Sequence, residues 1–271
     1  MKRTRQNSLV RAVSLVLAAL VLCLASSEPA AAQRENLDDL LARASQQVTT
    51  FLDQFSDVKC TEYVTQLKLG KDDKVEAKQE STFDYLVILT NAGGQFNFSE
   101  SRLAEHSGKH VKNLPLLVTN GFATLFLVFH PYYEGSFQFS QQEDDFIAGK
   151  RYVRVRFEHI KGTRSPTALV LRGREYPLEL AGTAWIDPAT GIVARIVAGL
   201  DSGLDDVGLR LLRSEVEYAP VPLREVKQTY WFPSVATIEV ETPKQHWRNT
   251  HRFTDYKQFS VSTEEVIAKQ P

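Results

Sequence analysis

Apolar side chains recur at three- and four-residue intervals near the start of the chain, between Leu37 and Phe55. Asn36 stands at the cap position, and Asp38 and Asp39 follow in the first turn, where the helix dipole favours negative charge. The pattern predicts an amphipathic helix of about five turns that must dock one face on another part of the fold. Its apolar stripe comprises Leu37, Leu40, Leu41, Ala44, Val48, Phe51, Leu52 and Phe55.

Beyond Cys60 the period of the pattern changes from near 3.6 residues to 2. Val153, Val155 and Phe157, for example, alternate with charged side chains, which predicts a strand with one apolar and one charged face. We expect about ten strands joined by short turns, without the alternating helices of a parallel sheet. The predicted strands include residues 82–90, 95–99, 137–139, 153–157, 178–186, 192–197, 209–218, 226–232, 236–240 and 248–256.

One segment, residues 120–130, is apolar on all sides and lacks polar alternation. Such a segment is interior, either as a short buried helix or central strand, or as a helix that plugs the concave side of the sheet or covers a cavity. The chain shows no repeat of fixed period and no linker rich in Pro, Gly and Ser. These features predict a mainly β (α+β) fold in a single domain, residues 33–271, with a strongly curved antiparallel sheet.

The first 32 residues have the layout of a secretory signal peptide. Basic residues open the chain, a run of about 14 apolar residues follows, and Ala30, Ala31 and Ala32 form a cleavage site. A membrane span needs roughly 20 apolar residues, so cleavage after Ala32 and export to the periplasm are the prediction. The large Leu22 before Cys23 disfavours lipid anchoring at that cysteine.

Composition narrows the classes of function further. The 271 residues carry a formal charge of −1, and losing the signal peptide removes four basic residues and one acidic residue, leaving about −4. Nucleic-acid binding needs a surplus of basic side chains, which this chain lacks. After cleavage Cys60 is the single cysteine, and we expect it to pack in the core as a small hydrophobe.

The sequence contains no metalloprotease, nucleophile-elbow, phosphate-loop or dinucleotide motif. His106 and His110 have the spacing of two zinc ligands on a helix, but the Ser-Gly-Lys between them favours a hairpin turn. His246 and His251 are interpreted as part of an aromatic and basic loop. We therefore predict no catalytic residue, no metal ligand and no cofactor.

Two stretches carry a family resemblance. Residues 182–188 read Gly-Thr-Ala-Trp-Ile-Asp-Pro and lead into a returning strand at residues 192–196, and residues 252–259 read Arg-Phe-Thr-Asp-Tyr-Lys-Gln-Phe. With the N-terminal helix and the long strands, the chain over most of residues 35–260 resembles the periplasmic lipoprotein-carrier (LolA-like) superfamily. The resemblance implies an open half-barrel whose concave face, covered by the two helices, holds an acyl chain or another apolar ligand. It also implies a lipid or lipoprotein as ligand and a membrane-bound partner that loads or accepts it.

A ligand of this kind needs an apolar lining and no catalytic group, because burial contributes about 0.8 kcal/mol per methylene. We therefore expect a dry cavity of roughly several hundred cubic ångströms, in the range of known ligand sites. The alternative is a non-catalytic structural or interaction module of the cell envelope, which would show an exposed apolar patch or a long free sheet edge instead. The predicted lining residues are Phe96, Phe98, Phe122, Phe126, Phe137 and Phe139.

Overall fold

One helix and a large antiparallel sheet dominate the computed structural model. It describes residues 36–55, 58–92, 95–104, 121, 125–171, 174–200, 202–204, 208–223 and 229–258. The helix α1 runs from Leu37 to Phe55, as the apolar stripe predicts. The predicted signal peptide lies outside the described residues, so its cleavage stays a prediction. None of the described helices combines the length and the apolar character that crossing a bilayer requires.

Thirteen strands occur in the described residues, eleven of them in one open sheet. The order across the sheet is β3-β2-β1-β13-β12-β11-β10-β9-β6-β4, with β5 paired to β6 and a separate β7-β8 hairpin. The strands are β1 Val58–Leu69, β2 Val75–Ala92, β3 Gln95–Ala104, β4 Phe137–Gln141, β5 Asp145–Ile147, β6 Lys150–His159, β7 Ala168–Leu171, β8 Arg174–Pro177, β9 Leu180–Ile186, β10 Val193–Leu200, β11 Leu211–Pro222, β12 Thr229–Glu241 and β13 His246–Gln258.

The core lies on one face of this sheet. Directly opposed residues of antiparallel strands share a face, and Val155, Ala184, Ile196, Val216 and Ala236 form such a row across β6, β9, β10, β11 and β12. Each of these side chains is fully or almost fully buried. Helix α1 contributes the apolar residues of its stripe from Leu37 to Leu52 to the same core and contacts β1 and β12.

The apolar segment after residue 120 forms two consecutive 3₁₀ helices, Leu125–Phe129 and Pro131–Ser136. All five residues of the first are buried, which confirms the predicted interior position for residues 125–129 of the segment, and this helix contacts α1. Pro131 begins the second helix, where its missing amide hydrogen has no cost, and His130 Nδ1 accepts the Tyr132 amide.

Two bulges interrupt the regular pairing in the middle of the sheet. In β12 the register with β11 shifts between Glu217 and Tyr218, leaving Ser234 as the extra residue. In β13 the register with β1 shifts beyond Thr254, where Asp255 takes a φ of 54°. The pairing of β12 with β13 therefore covers only residues 235–241 and 246–252. Beyond these residues β12 remains paired with β11, and β13 remains paired with β1.

Candidate functional site

The turn after β9 holds α1 close to the sheet. Asp187 caps this turn by accepting the backbone amides of Ala189 and Gly191, the first through its side chain and the second through its carbonyl. Gly191 has a φ of +76°, and a Cβ added there would lie 2.6 Å from the Arg43 carbonyl carbon and 2.8 Å from the Ala44 amide nitrogen. A side chain at this position would push the helix away, so glycine permits the close approach.

Next to this contact, a cavity of about 100 Å³ lies between α1, the first 3₁₀ helix and strands β10 to β12. No charged side chain is among its described lining residues, which are aromatic, aliphatic or neutral polar. They are Gln47, Val48, Thr50, Phe51, Phe126, Ile192, Val193, Tyr218, Thr229, Tyr230 and Trp231. This lining can accept an apolar group without leaving a buried charge unpaired.

Three lining residues, Phe51, Phe126 and Tyr218, belong to a chain of aromatic rings that continues beyond the cavity to Phe232 and Tyr256. We call these five rings the aromatic wall. The Phe126 ring meets Phe51 and Tyr218 edge-on, with centroids 4.5 and 5.7 Å apart. Phe232 lies 5.6 Å from Phe51 and stacks on Tyr256 at 4.7 Å. The wall thus connects α1, through the 3₁₀ helix, with β11, β12 and β13.

The bulge in β13 is what brings Tyr256 to this wall. Residues at odd positions from Trp247 to Phe253 are buried, and the extra residue at Asp255 shifts the inward positions to even numbers. Tyr256 then stacks on Phe232, and its hydroxyl donates a 2.6 Å hydrogen bond to the Pro233 carbonyl at the bulge in β12. The two bulges therefore stabilise each other through one side chain.

Burial keeps the titratable groups of the wall neutral. Desolvation raises the pKa of the Tyr218 hydroxyl, against the opposing effect of its hydrogen bond with the Phe126 backbone. It also raises the pKa of Tyr256 and of the neighbouring Cys60 thiol. Cys60 is 3% exposed, as its predicted packing role requires, and a neutral buried thiol is unreactive.

A second cavity, of about 640 Å³, lies where β11 and β13 end. Its described lining combines apolar side chains from β11 with polar ones from β13, and Tyr256 links it to the aromatic wall. The volume falls in the range of ligand sites, whereas the cavity beside α1 is smaller than predicted. The lining comprises Val221, Pro222, Leu223, Asp255, Tyr256, Lys257 and Gln258.

The same sheet buries a network of charged groups on β1, β3 and β13. Arg102 donates through Nε and Nη2 to both oxygens of Glu62, at 2.6 and 3.0 Å, and through Nη1 to Glu100 at 3.2 Å. His251 Nδ1 lies 2.7 Å from Glu62 Oε1. Glu62 is fully buried, and Arg102 lies over the ring of Tyr85 on β2 at 5.1 Å.

The two carboxyl groups of this network titrate in opposite directions. Burial acts to raise the pKa of Glu62, but the hydrogen bonds from His251 and Arg102 outweigh it, and the pKa is lowered. For Glu100 burial dominates and raises the pKa, although Arg102 and the Gly121 amide oppose the shift. As the pH falls, Glu100 is thus expected to take up a proton before Glu62 does.

Of the predicted lining residues, Phe126 lies on the cavity beside α1. Phe137 and Phe139 belong to a different aromatic group on β4, packed with Phe129 and Phe157. Phe96 and Phe98 lie on β3, opposite Asn91 and Leu89 of β2. Phe122 lies outside the described residues, and no contact shows a ligand on any of the six, so their role stays a prediction.

Sequence reasoning missed most of the aromatic wall and all of the charged network. Tyr218 and Tyr256 lie in predicted strands, but the alternation of apolar and polar residues does not reveal the bulge that turns Tyr256 inward. The position of Glu62 could have been recognised, because Cys60, Glu62 and Val64 are every second residue of β1 and share its inward face. A charged residue at a buried strand position requires a buried partner.

The histidines differ from their predicted setting. His246 and His251 lie in strand β13, not in a loop: His246 Nε2 is 2.6 Å from Glu239, and His251 contacts Glu62. The alternation of buried residues, Trp247, Asn249, His251 and Phe253, is that of a strand and places His251 on the inward face. His106 and His110 lie outside the described residues, and within the described ranges no group of His, Cys, Asp and Glu could hold a metal ion.

Comparison with known proteins gives structural similarity only. No family model matches the chain, and no curated protein matches it either. The solved structures to which the chain is similar include three with TM-scores of 0.38 to 0.42. With a DUF1329 family protein from Desulfovibrio piger it shares 11% identity (TM-score 0.42), over 81% of this chain and 90% of that one.

The other two structures come from Nitrosomonas europaea and Vibrio parahaemolyticus. A LolA superfamily protein from Nitrosomonas europaea is 10% identical (TM-score 0.38), over 83% of this chain and 94% of that one. A putative outer membrane lipoprotein-sorting protein domain from Vibrio parahaemolyticus is 13% identical (TM-score 0.40), over 85% and 96%.

Proposed function

We propose that the chain is an exported, non-enzymatic binding or carrier protein that holds an apolar ligand against the aromatic wall. In this proposal the sheet is a half-barrel, and α1 and the first 3₁₀ helix cover its concave face. The observation that carries the proposal is the cavity beside α1, whose described lining includes five aromatic side chains and no charged one. A lipid or the acyl chain of a lipoprotein fits that chemistry, and delivery would involve a membrane-bound partner.

The size of the cavity sets what it can hold without change. An engineered apolar cavity of about 150 Å³ accepts a benzene molecule, so about 100 Å³ admits the end of an alkyl chain. Four methylenes contribute about 3 kcal/mol, which is weaker than a millimolar dissociation constant. Micromolar binding therefore requires the chain to extend from the cavity along the aromatic wall toward the 640 Å³ cavity.

A homologous series of uncharged alkyl alcohols, with 4 to about 12 carbons, tests this proposal by displacement of a fluorescent apolar probe. We expect the affinity to rise about fourfold for each methylene added, since 0.8 kcal/mol is the transfer free energy of one. The protein is the mature chain, residues 33–271, purified without detergent from an exporting host. Native mass spectrometry with organic extraction identifies any lipid that co-purifies.

Two neighbouring glutamines on α1 give a matched pair of variants. Gln47 is exposed and lines the cavity, and Gln46 is exposed on the same helix without lining it. Gln47→Trp should weaken probe binding by tenfold or more, whereas Gln46→Trp should leave it unchanged. Equal affinities for the two variants, or an affinity that does not depend on chain length, would contradict the proposal.

The alternative, an envelope interaction module without a small ligand, predicts an exposed apolar patch or a long free sheet edge. Among the described residues the large exposed apolar side chains stand on five different strands: Tyr63, Val75, Leu103, Phe146 and Leu211. Apolar side chains scattered in this way are normal for a protein surface. A clean apo mass that lipids do not change would favour this alternative.

A further inference from the structure

The proposed function leaves the buried charged network without a role. Glu62 on β1 and Glu100 and Arg102 on β3 flank β2, where the residues opposite them are Phe83, Val87 and Tyr85. Replacing a buried ion pair by apolar side chains is often neutral or stabilising, so stability alone does not explain these residues. A network of this kind can instead specify one conformation of a neighbouring segment.

Glu100 connects the network to the cavity. Its Oε1 accepts a 2.9 Å hydrogen bond from the backbone amide of Gly121, while Oε2 accepts from Arg102. Gly121 is five residues before Phe126, and five residues of chain span at most about 18 Å. Phe126 lines the cavity and forms the centre of the aromatic wall.

We infer that Glu100 is a positioning residue, which fixes Phe126 in the aromatic wall through Gly121 and releases it when the carboxylate is protonated. This inference rests on the proposed function and names the regulation of the same site. The charge-assisted hydrogen bond to the Gly121 amide is roughly twice as strong as its neutral counterpart. Protonation therefore weakens the link and lets the first 3₁₀ helix move away from α1.

The groups around Glu100 make its carboxylate the one in the charged network that takes up a proton. Glu62 faces the network from β1, Tyr85 from β2, Arg102 from β3 and His251 from β13. Arg102 cannot satisfy both carboxylates equally: it forms two hydrogen bonds with Glu62 and one with Glu100. Burial raises the pKa of Glu100 above its ordinary value of 4.5, so proton uptake begins nearer to neutral pH than for an exposed glutamate.

The test measures the protection of the segment and the dissociation rate of a bound probe separately, between pH 5 and 8. Hydrogen exchange, corrected for the intrinsic rate at each pH, reports the protection of residues 121–129. Stopped-flow dilution reports the dissociation rate of N-phenyl-1-naphthylamine, an uncharged probe. The variants are Glu100→Gln, which removes the titration, and Glu80→Gln, a control at an exposed glutamate on β2.

In the wild type and in Glu80→Gln we expect protection to fall and probe dissociation to accelerate about fivefold as the pH decreases. Glu100→Gln should give the fast, weakly protected behaviour at every pH. A pH dependence that persists in Glu100→Gln, or equal protection of residues 121–129 in both proteins, overturns the inference. If the wild type never binds the probe but the exchange follows this pattern, the positioning role stands and the proposed ligand function fails.

Glu100→Asp keeps the charge and shortens the side chain by one methylene, and it serves where Glu100→Gln does not fold. We expect Asp at position 100 to retain a pH-dependent exchange pattern with lower protection than the wild type. Exchange identical to the wild type in that variant would overturn the inference, because the hydrogen bond to Gly121 depends on the reach of the carboxylate.

Discussion

Replacing Gly191 by alanine separates backbone strain from the steric contact that holds α1 on the sheet. The native φ of +76° is unfavourable for alanine and costs roughly 1–2 kcal/mol. The new Cβ would also meet the Arg43 carbonyl carbon at 2.6 Å and the Arg43 Cβ at 2.7 Å. Displacing the packed helix adds about 1–3 kcal/mol, so we expect Gly191→Ala to lose about 2–5 kcal/mol in total.

Gly149 supplies the matched control for this substitution. Its φ of +80° carries the same strain, but a Cβ there would meet nothing within 4 Å. Gly149→Ala should therefore cost about 1–2 kcal/mol, and the difference between the two variants isolates the helix contact. Urea denaturation gives the free energies, and in thermal unfolding the difference corresponds to about 2–12 °C.

The two outcomes have distinct meanings for the site. Because Ile192 and Val193 line the cavity beside Gly191, Gly191→Ala should also weaken binding of an apolar probe, and Gly149→Ala should not. Equal losses of stability in the two variants would refute the reasoning. That result would show that the packing of α1 on the sheet does not depend on the close approach between Gly191 and Arg43.

Three further predictions concern buried residues. Glu62→Gln leaves Arg102 and His251 without their anion and should cost about 3–5 kcal/mol at pH 7 in urea denaturation. Because the pKa of Glu62 is lowered on folding, its contribution to stability is present above pH 4.5 and is lost as the pH falls through the lowered value. The free energies of unfolding of the variant and the wild type should therefore converge at low pH. A difference that stays constant with pH would contradict this. The Cys60 thiol should react with a disulfide reagent only after unfolding, because burial raises its pKa, and rapid reaction of the native protein would be inconsistent with the structure. Phe232→Ala removes a fully buried ring and should cost about 3–5 kcal/mol, against about 0.5 kcal/mol or less for Tyr63→Ala on the exposed face; similar losses would place Phe232 outside the core.

Local patterns in the sequence predicted the elements well where a single period persists. The stripe from Leu37 to Phe55 gives the observed helix, and the alternation around Val155 gives β6. The prediction of two strands at residues 226–232 and 236–240 was wrong, because Pro233 and Ser234 form a bulge inside one strand, β12. Proline is tolerated there since β12 no longer pairs with β13 at that level.

The sites were harder to predict because they depend on long-range pairing. Glu62 meets His251 because β1 pairs with β13, and it meets Arg102 because β2 pairs with β1 on one side and with β3 on the other. Nothing near Glu62 in the sequence identifies these partners, which are 40 and 189 residues away. Similarly, the inward position of Tyr256 depends on Asp255 adopting a positive φ, a conformation that the alternation of β13 does not reveal.

The pairing of β1 with β13 also has a consequence for how the chain folds. The first and the last strand are neighbours in the interior of the sheet, so β1 to β3 can join β4 to β12 only after β13 is available. Contacts of such high sequence separation form slowly, and the early strands stay without their partner until synthesis is complete. For a chain with a predicted export signal, this order of events delays completion of the sheet and extends the time in which translocation of an unfolded chain can begin.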